Sequence, residues 1–570
     1  MTNNANYPRW SPLFKDTNLS SLKNANTTFD GTTNGTSALT DFAIPIGTKF
    51  YAEIIAKLGS NYYNIFGIAP PDMNLGTYAR NLANVYAIEQ RTNSGAYTIN
   101  SISNTTVGSN SSSQGDLDTQ VITYGIAVNR VDNEVKLYLD NTLKFTLAIP
   151  STGVFHFMCS FTGGNNATTV RYHFNGGHDS TGAGDKSAGT SSDENGFGEF
   201  QFTPPSGHLA CASSNLPTST DIDAGGDDGA DENPSKQFGV VTYTGTGSAV
   251  TISGLGFQPD FIWAKTRSTG SRHYLVDSSR GFTKYLHSEG TYTEGTSSTG
   301  VTSANSDGFV IGGSLDYVNY SGRTYVAWCW RANGGTTASN SDGSVTSTVQ
   351  VNTKSKFSVV QWNGTGSAGA TVGHGLNAVP KWIIVKNRDT AKNWACYHVG
   401  DNNNGTKALL LNTGGVDVSN YWNSTQPTSS VFSLGGETEV NQSSNSIVAY
   451  CWADVDGMQR FSSYVGTGSS EPKFIYTGFR PRMIFTMRTD SASGFRVRDT
   501  ERSPNNPTTR ILWWTFENQE YNSDGSGGYN FDIVKNGFVI RTSSSDFNAN
   551  GSTYVYGAWA DQSAKYSNAF

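Results

Sequence analysis

At 570 residues and a net charge of −7, the chain is too long for one hydrophobic core and has no basic excess for nucleic acid. Only 15% of residues are charged, whereas 12% are aromatic and 63 are glycine. That balance excludes an intrinsically disordered chain, and no apolar run reaches the length of a membrane-spanning helix.

Many aromatics and glycines with few charges fit short strands joined by tight turns. The first six residues have neither the basic nor the apolar region of a signal peptide, so secretion by that route is not expected. Cys159, Cys211, Cys329, Cys396 and Cys451 are odd in number and lack paired spacing. They read as small buried apolar residues, not as a disulfide framework or zinc site.

Taken in chain order, residues 1–217 predict an antiparallel sandwich. Residues 49–56 and 64–69 read as strands, 124–128 and 133–141 as a hairpin turning at Asp132-Asn133, and 170–174 as a further alternating run. Residues 218–236 form an acidic Gly/Asp linker. Within it, Asp221, Asp223, Asp227 and Glu232 fall near calcium-loop spacing. Gly225 stands where a side-chain ligand belongs and no helical pattern flanks the run, so a solvated linker is the more economical reading, with the four acids as weak cation candidates.

Three copies of one β module follow, at 237–334, 356–456 and 457–570, with a Ser/Thr/Gly linker at 335–355. Each opens on a strand-like run, beginning at Phe238, Phe357 and Phe461, and reaches Gly-Thr-Gly-Ser at 245–248, 364–367 and 466–469. Pro259, Pro380 and Pro481 then precede apolar strands, a place where a missing N–H costs the ladder little. Each module closes on an aromatic strand ending in Trp330, Trp452 or Trp559. Recurring landmarks of this kind specify a core. The stretches 271–300, 401–430 and 502–528 differ most and read as loops, the usual place for binding specificity and for host or neighbouring-subunit contacts.

The N-terminal order of strands resembles the SPRY domain, a concanavalin-like sandwich. The string Asn195-Gly196-Phe197-Gly198-Glu199-Phe200, then Pro204-Pro205-Ser206-Gly207, is similar to the end of the SPRY-like region in tail-fibre-like proteins of marine phages. The strings Gly256-Phe257-Gln258-Pro259 and Val326-Ala327-Trp328-Cys329-Trp330 resemble the repeats that follow it there. The second copy lacks Gly-Phe-x-Pro and the third lacks the cysteine, so no family ligand site carries over. The resemblance implies a virion protein, a tail fibre or related appendage, that meets other virion proteins and a host cell-surface glycan or protein. It further implies a homo-oligomer, in family style a trimer.

Nucleophile-elbow, phosphate-loop and metalloprotease patterns are absent as working sets, and His374 between two glycines reads as a turn residue. No catalytic residue, cofactor or metal is therefore expected, and the chain is not expected to be an enzyme. A glycosidase needs two facing carboxylates, and Glu53, Asp116, Glu199 and Asp499 cannot be paired from sequence. The pairs Tyr421-Trp422 and Trp513-Trp514 are weak candidates for stacking on sugar, against a stronger reading as core. A surface-polysaccharide depolymerase and a purely structural head or tail decoration or adaptor stay open as alternatives.

Overall fold

The computed structural model describes residues 7–560 except 16–21, 25–26, 32–35, 58–61, 72, 74–78, 94–95, 105, 115–120, 164–169, 213–214, 217–221, 223–232, 402–403 and 524–527. Strands dominate throughout, as the composition requires, and the two α-helices among these residues are single turns, Thr438–Asn441 and Ser545–Asn548.

The N-terminal body is a sandwich. One sheet runs Trp10–Lys15, Thr36–Ile44, Phe155–Gly163, Tyr62–Ala69, Tyr86–Asn93, Ala96–Ser103, Thr106–Gln114. The other runs Thr142–Ala148, Glu134–Leu139, Val121–Asn129, Lys49–Lys57, Val170–Asn175, Thr28–Gly31. Rings meet between them, Phe42 edge-on to Phe50 at 5.1 Å and Phe66 against Tyr124 at 4.0 Å. Glu134–Leu139 alternates half-buried and buried because only one of its faces is covered. The anticipated hairpin turns at Asn133, which adopts a φ of +57°.

Each repeat forms one large and one small sheet, and the large sheets share a strand order: opening strand, closing strand, proline-led strand, then three short outer strands. In the first module these are Phe238–Thr244, Thr324–Trp330, Phe261–Thr266, Tyr274–Asp277, Lys284–Leu286 and Gly295–Thr296. The second uses Phe357–Asn363, Ser446–Trp452 and Trp382–Asn387 in the same places, and the third Gln459–Val465, Thr553–Ala560 and Pro481–Arg488.

One asparagine holds the Gly-Thr-Gly-Ser turn in every copy. Asn319, Asn441 and Asn548 accept the amides of Thr246, Thr365 and Thr467 at 2.7–2.8 Å. Their Nδ2 groups donate to the carbonyls of Ser248, Ser367 and Ser469. The recurring string is thus a turn clamped by a buried amide.

The modules do not extend as a string. Phe261–Thr266 is buried at every position, and its pleat sends alternate residues to two cores: Ile262 and Ala264 face the first module's own small sheet, Phe261 and Trp263 a core shared by all three modules. The strands led by Trp382 and Pro481 divide in the same way. In the shared core Trp330, Trp452 and Trp559 form a triangle, with ring centroids 5.8, 6.2 and 5.7 Å apart and every pair edge-to-face. Their indole N–H groups have no oxygen or nitrogen acceptor, a cost of about 1–3 kcal/mol each. Burying a ring of that size contributes about 4–6 kcal/mol at most, so area outweighs the unmade bonds.

Around this axis the modules meet in cyclic order. Between the first and second, the Tyr450 hydroxyl donates to Asp277 at 2.8 Å, Arg280 pairs with Asp277, and Glu294 receives both Arg280 and a two-pronged Arg388. Between the third and first the set recurs: Trp328 to Asp499, Arg502 to Asp499, and Glu520 receiving Arg502 and Arg267. Pairing register makes Tyr450, Trp328 and Gly557 equivalent, and Arg388, Arg267 and Thr489. The junction between the second and third modules therefore lacks the arginine and the aromatic donor; His398 Nε2 donates instead to the Tyr556 carbonyl at 3.1 Å.

Three sequence expectations are corrected. Residues 335–355 are not a free linker: Ala338–Asn340 and Ser347–Asn352 form a hairpin on the edge of the second module's large sheet. The stretches 271–300, 401–430 and 502–528 are not free loops: they carry the outer strands and the junction groups Arg280, Glu294, Arg502 and Glu520. Finally, Gln459 and not Phe461 is the counterpart of Phe238 and Phe357, since Gln459 pairs with Trp559 as they pair with Trp330 and Trp452.

Candidate functional site

The N-terminal sandwich docks on the third module. The His156 ring stands edge-on to Phe474 at 5.0 Å, and Asn536 Nδ2 donates to the Ala43 carbonyl at 3.4 Å. Beside this contact the two bodies leave a cleft of about 360 Å³. Its apolar wall is the chain turning out of Thr36–Ile44 through Pro45 and Ile46, with Val154 beside it. Its polar wall is the strand Gln459–Val465, where Phe461 points inward against Trp559 and the pleat turns Arg460 and Ser462 to the opposite face.

Those two side chains are peculiar to the third module. By register Arg460 replaces Gly239 and Ser358, and Ser462 replaces Val241 and Val360, which pack in the cores of their own modules. The Tyr556 hydroxyl donates to the Tyr476 carbonyl at 3.1 Å and is hydrogen-bonded by Arg460 and Ser462, so the wall is a fixed network. Burial opposes the charge on Arg460, but Tyr556, Asp454, Tyr476 and Asp456 around it more than offset this and hold the guanidinium protonated. Asp456 is the one carboxylate among the residues described as lining the cleft.

Three further perturbed groups are buried and bonded within the fold. Glu53 is fully buried and accepts from Tyr51 Oη, Asn175 Nδ2 and the amides of Gln201 and Phe202, pinning the long coil after Val170–Asn175 to the sheet. Burial pushes its carboxyl up to about 7 against the pull of those bonds. Burial also lowers Lys265 to about 8 and Lys386 to about 7. Each reaches carbonyls of the adjoining module, of Glu517 and Thr291 respectively. Their counterpart at the third position is Met487, in keeping with the less polar junction there.

The four acids of the candidate calcium loop, Asp221, Asp223, Asp227 and Glu232, lie outside the described residues, as does Asp116. Ile222 between them is buried in the shared core. Tyr421 and Trp422 are 2% and 1% exposed in the second module's core, and Trp514 stacks on Trp263 at 4.3 Å in the shared one. None of these three offers a face to a sugar; Trp513 is half-buried, beside Tyr521. Asn175 Nδ2 bridges the buried Glu53 carboxylate and the backbone carbonyl of exposed Glu199, whereas Asp499 lies at the junction of the third and first modules. The cleft residues were missed, although Arg460 and Ser462 in place of small and apolar residues are a readable signal once the register is counted back from Gly466.

Residues 233–563 match the family described as a domain of unknown function, DUF7483, a span that takes in all three modules. No curated protein matches. Among solved structures the chain is similar to the SPRY domain of human HERC1 (11% identity, 29% of this chain and 96% of that one, TM-score 0.22). It is also similar to the carbohydrate-binding module CBM66 from Bacillus subtilis (11%, 30% and 94%, 0.20) and to a Bacillus licheniformis β-glucanase (14%, 30% and 91%, 0.20).

Proposed function

We propose for this chain, which belongs to the DUF7483 family, the role of a bacteriophage virion protein, a tail fibre or related appendage that takes part in host-surface recognition and adsorption. The phage assignment is supported by the resemblance of its SPRY-like and repeat strings to tail-fibre-like proteins. The observation that carries recognition over catalysis is the cleft: an open concavity walled by hydroxyls, an aromatic ring and aliphatic side chains, with Asp456 as its one described carboxylate where glycoside hydrolysis needs two. Shared-core closure supports the same reading, because a rigid scaffold holds a binding surface at low entropic cost.

Purified full chain is expected to compete with phage particles for host cells, and antibody against it should label the particle. Release of reducing sugar from host envelope material would favour the depolymerase alternative. Labelled particles whose adsorption is untouched by the free protein would favour a purely structural decoration or adaptor. Absence of the protein from particles would overturn the proposal.

A further inference from the structure

We infer that the cleft between the N-terminal sandwich and the third module binds a neutral mono- or disaccharide; its use in adsorption rests on the reading above, whereas binding itself does not. Three independent features point to this ligand. The first is fit: about 360 Å³ accommodates one or two sugar rings, and the walls differ as the parts of a pyranose differ. The C–H face of the sugar matches Ile46 and Val154, and its hydroxyl belt matches Arg460, Ser462, Ser463 and Asp456.

The second is that this polarity is peculiar to the third module. The first two modules carry Val241 and Val360 where the third carries Ser462, and Gly239 and Ser358 where it carries Arg460. Val241 and Val360 pack in the cores of their modules, whereas Ser462 and Arg460 face the cleft. Ile46 remains 61% exposed at the lip, an aliphatic side chain that its own fold leaves uncovered.

The third is charge. Asp454 and Asp456 stand beside Arg460 and already counter its guanidinium, which disfavours a carboxylate or sulfate as ligand. The network of Arg460, Ser462 and Tyr556 is nonetheless ordered before any ligand arrives, which reduces the entropy lost on binding.

Calorimetric titration of the full chain with cellobiose, lactose, maltose and N,N′-diacetylchitobiose, against glucuronate and N-acetylneuraminate, tests the assignment. At least one neutral sugar should bind, and Ile46→Asp and Asp456→Ala, both at exposed lip positions, should each weaken it by about tenfold or more. The thermal midpoint should stay unchanged, and Val418→Asp, at an exposed site outside the cleft, should leave binding intact. Binding of no neutral sugar, preference for the acidic sugars, or full affinity in both lip variants would overturn it. If the sugar binds in the cleft but free sugar does not block adsorption, the cleft assignment stands and the adsorption role falls. If both lip variants compete for host cells as well as the native chain while binding no sugar, adsorption is read elsewhere on the surface, and the cleft keeps only its sugar.

Discussion

Trp328 donates its indole N–H to Asp499 Oδ2 at 3.0 Å, joining residues of the first and third modules. Asp499 is simultaneously held by Arg502, whose guanidinium lies over the Trp328 ring at 5.5 Å. The chain thus returns on itself through a buried carboxylate whose partners come from both sides of the junction, and the same device joins Tyr450 to Asp277.

Trp328→Phe keeps a ring but removes the donor, and is expected to cost about 1–3 kcal/mol in urea unfolding. Asp499→Leu removes the nearer of the two carboxylates that hold Arg502, leaving Glu520, and should cost about 3–5 kcal/mol. Equal effects of the two substitutions would show that the ring, not the ion network, holds this junction.

Exchanging whole segments reads the same logic. Replacing 502–528 with the stretch in register, 280–300, supplies Arg280 and Glu294 in place of Arg502 and Glu520, so Arg267 keeps an acid to meet. Replacing it with 401–430 supplies neither, leaving Arg267 unpaired in a half-buried site. Cooperative unfolding should survive the first exchange and be lost in the second, as followed by circular dichroism.

Asn441→Ala removes the acceptor of the Thr365 amide and the donor to Ser367 at one stroke. A loss of about 1–3 kcal/mol is expected, with matching losses for Asn319→Ala and Asn548→Ala because the clamp is the same in each copy. Limited proteolysis should then cut first at the affected Gly-Thr-Gly-Ser turn.

Gly557→Ala tests the less polar junction. A Cβ there would meet Phe485 Cε1 at 2.4 Å and the Phe461 ring at 2.9 Å, both buried and hemmed in. Overpacking of this kind costs about 1–3 kcal/mol, which should appear as a lowered thermal midpoint. Gly436→Ala, where nothing lies within 4 Å of the added carbon and the backbone is ordinary, should leave the midpoint nearly unchanged.

Glu53 sets a pH dependence of defined sign. Its carboxyl is raised from 4.5 to about 7 on folding by burial. The folded state therefore holds that proton more tightly than the unfolded chain. This contribution is complete below pH 4.5 and is lost as pH rises through about 7, on the order of 3 kcal/mol in all. Urea midpoints measured from pH 4.5 to 8 should fall more steeply for the native chain than for Glu53→Gln. The difference in slope is the test, since the glutamine variant is also less stable throughout through its mismatched amide.

What the sequence determined by itself was everything carried by local pattern. The all-β class, the three copies, the turn at Gly-Thr-Gly-Ser and the buried strands after Pro259, Pro380 and Pro481 follow from period-two alternation, turn chemistry and repetition, which act over a few residues. The sequence marks a run such as Phe261–Thr266 as an apolar strand, and the structure buries it at every position. The sequence does not say what covers it. Only the tertiary structure decided that one face meets two other modules around Trp330, Trp452 and Trp559, that 335–355 adds a hairpin, and that the divergent stretches are junctions. It also decided that Tyr421, Trp422 and Trp514 pack inside while Arg460 and Ser462 line a cleft. The physical reason is that burial is non-directional: an apolar side chain gains the same free energy against any apolar partner, so its sequence fixes that it is buried and long-range packing selects the partner.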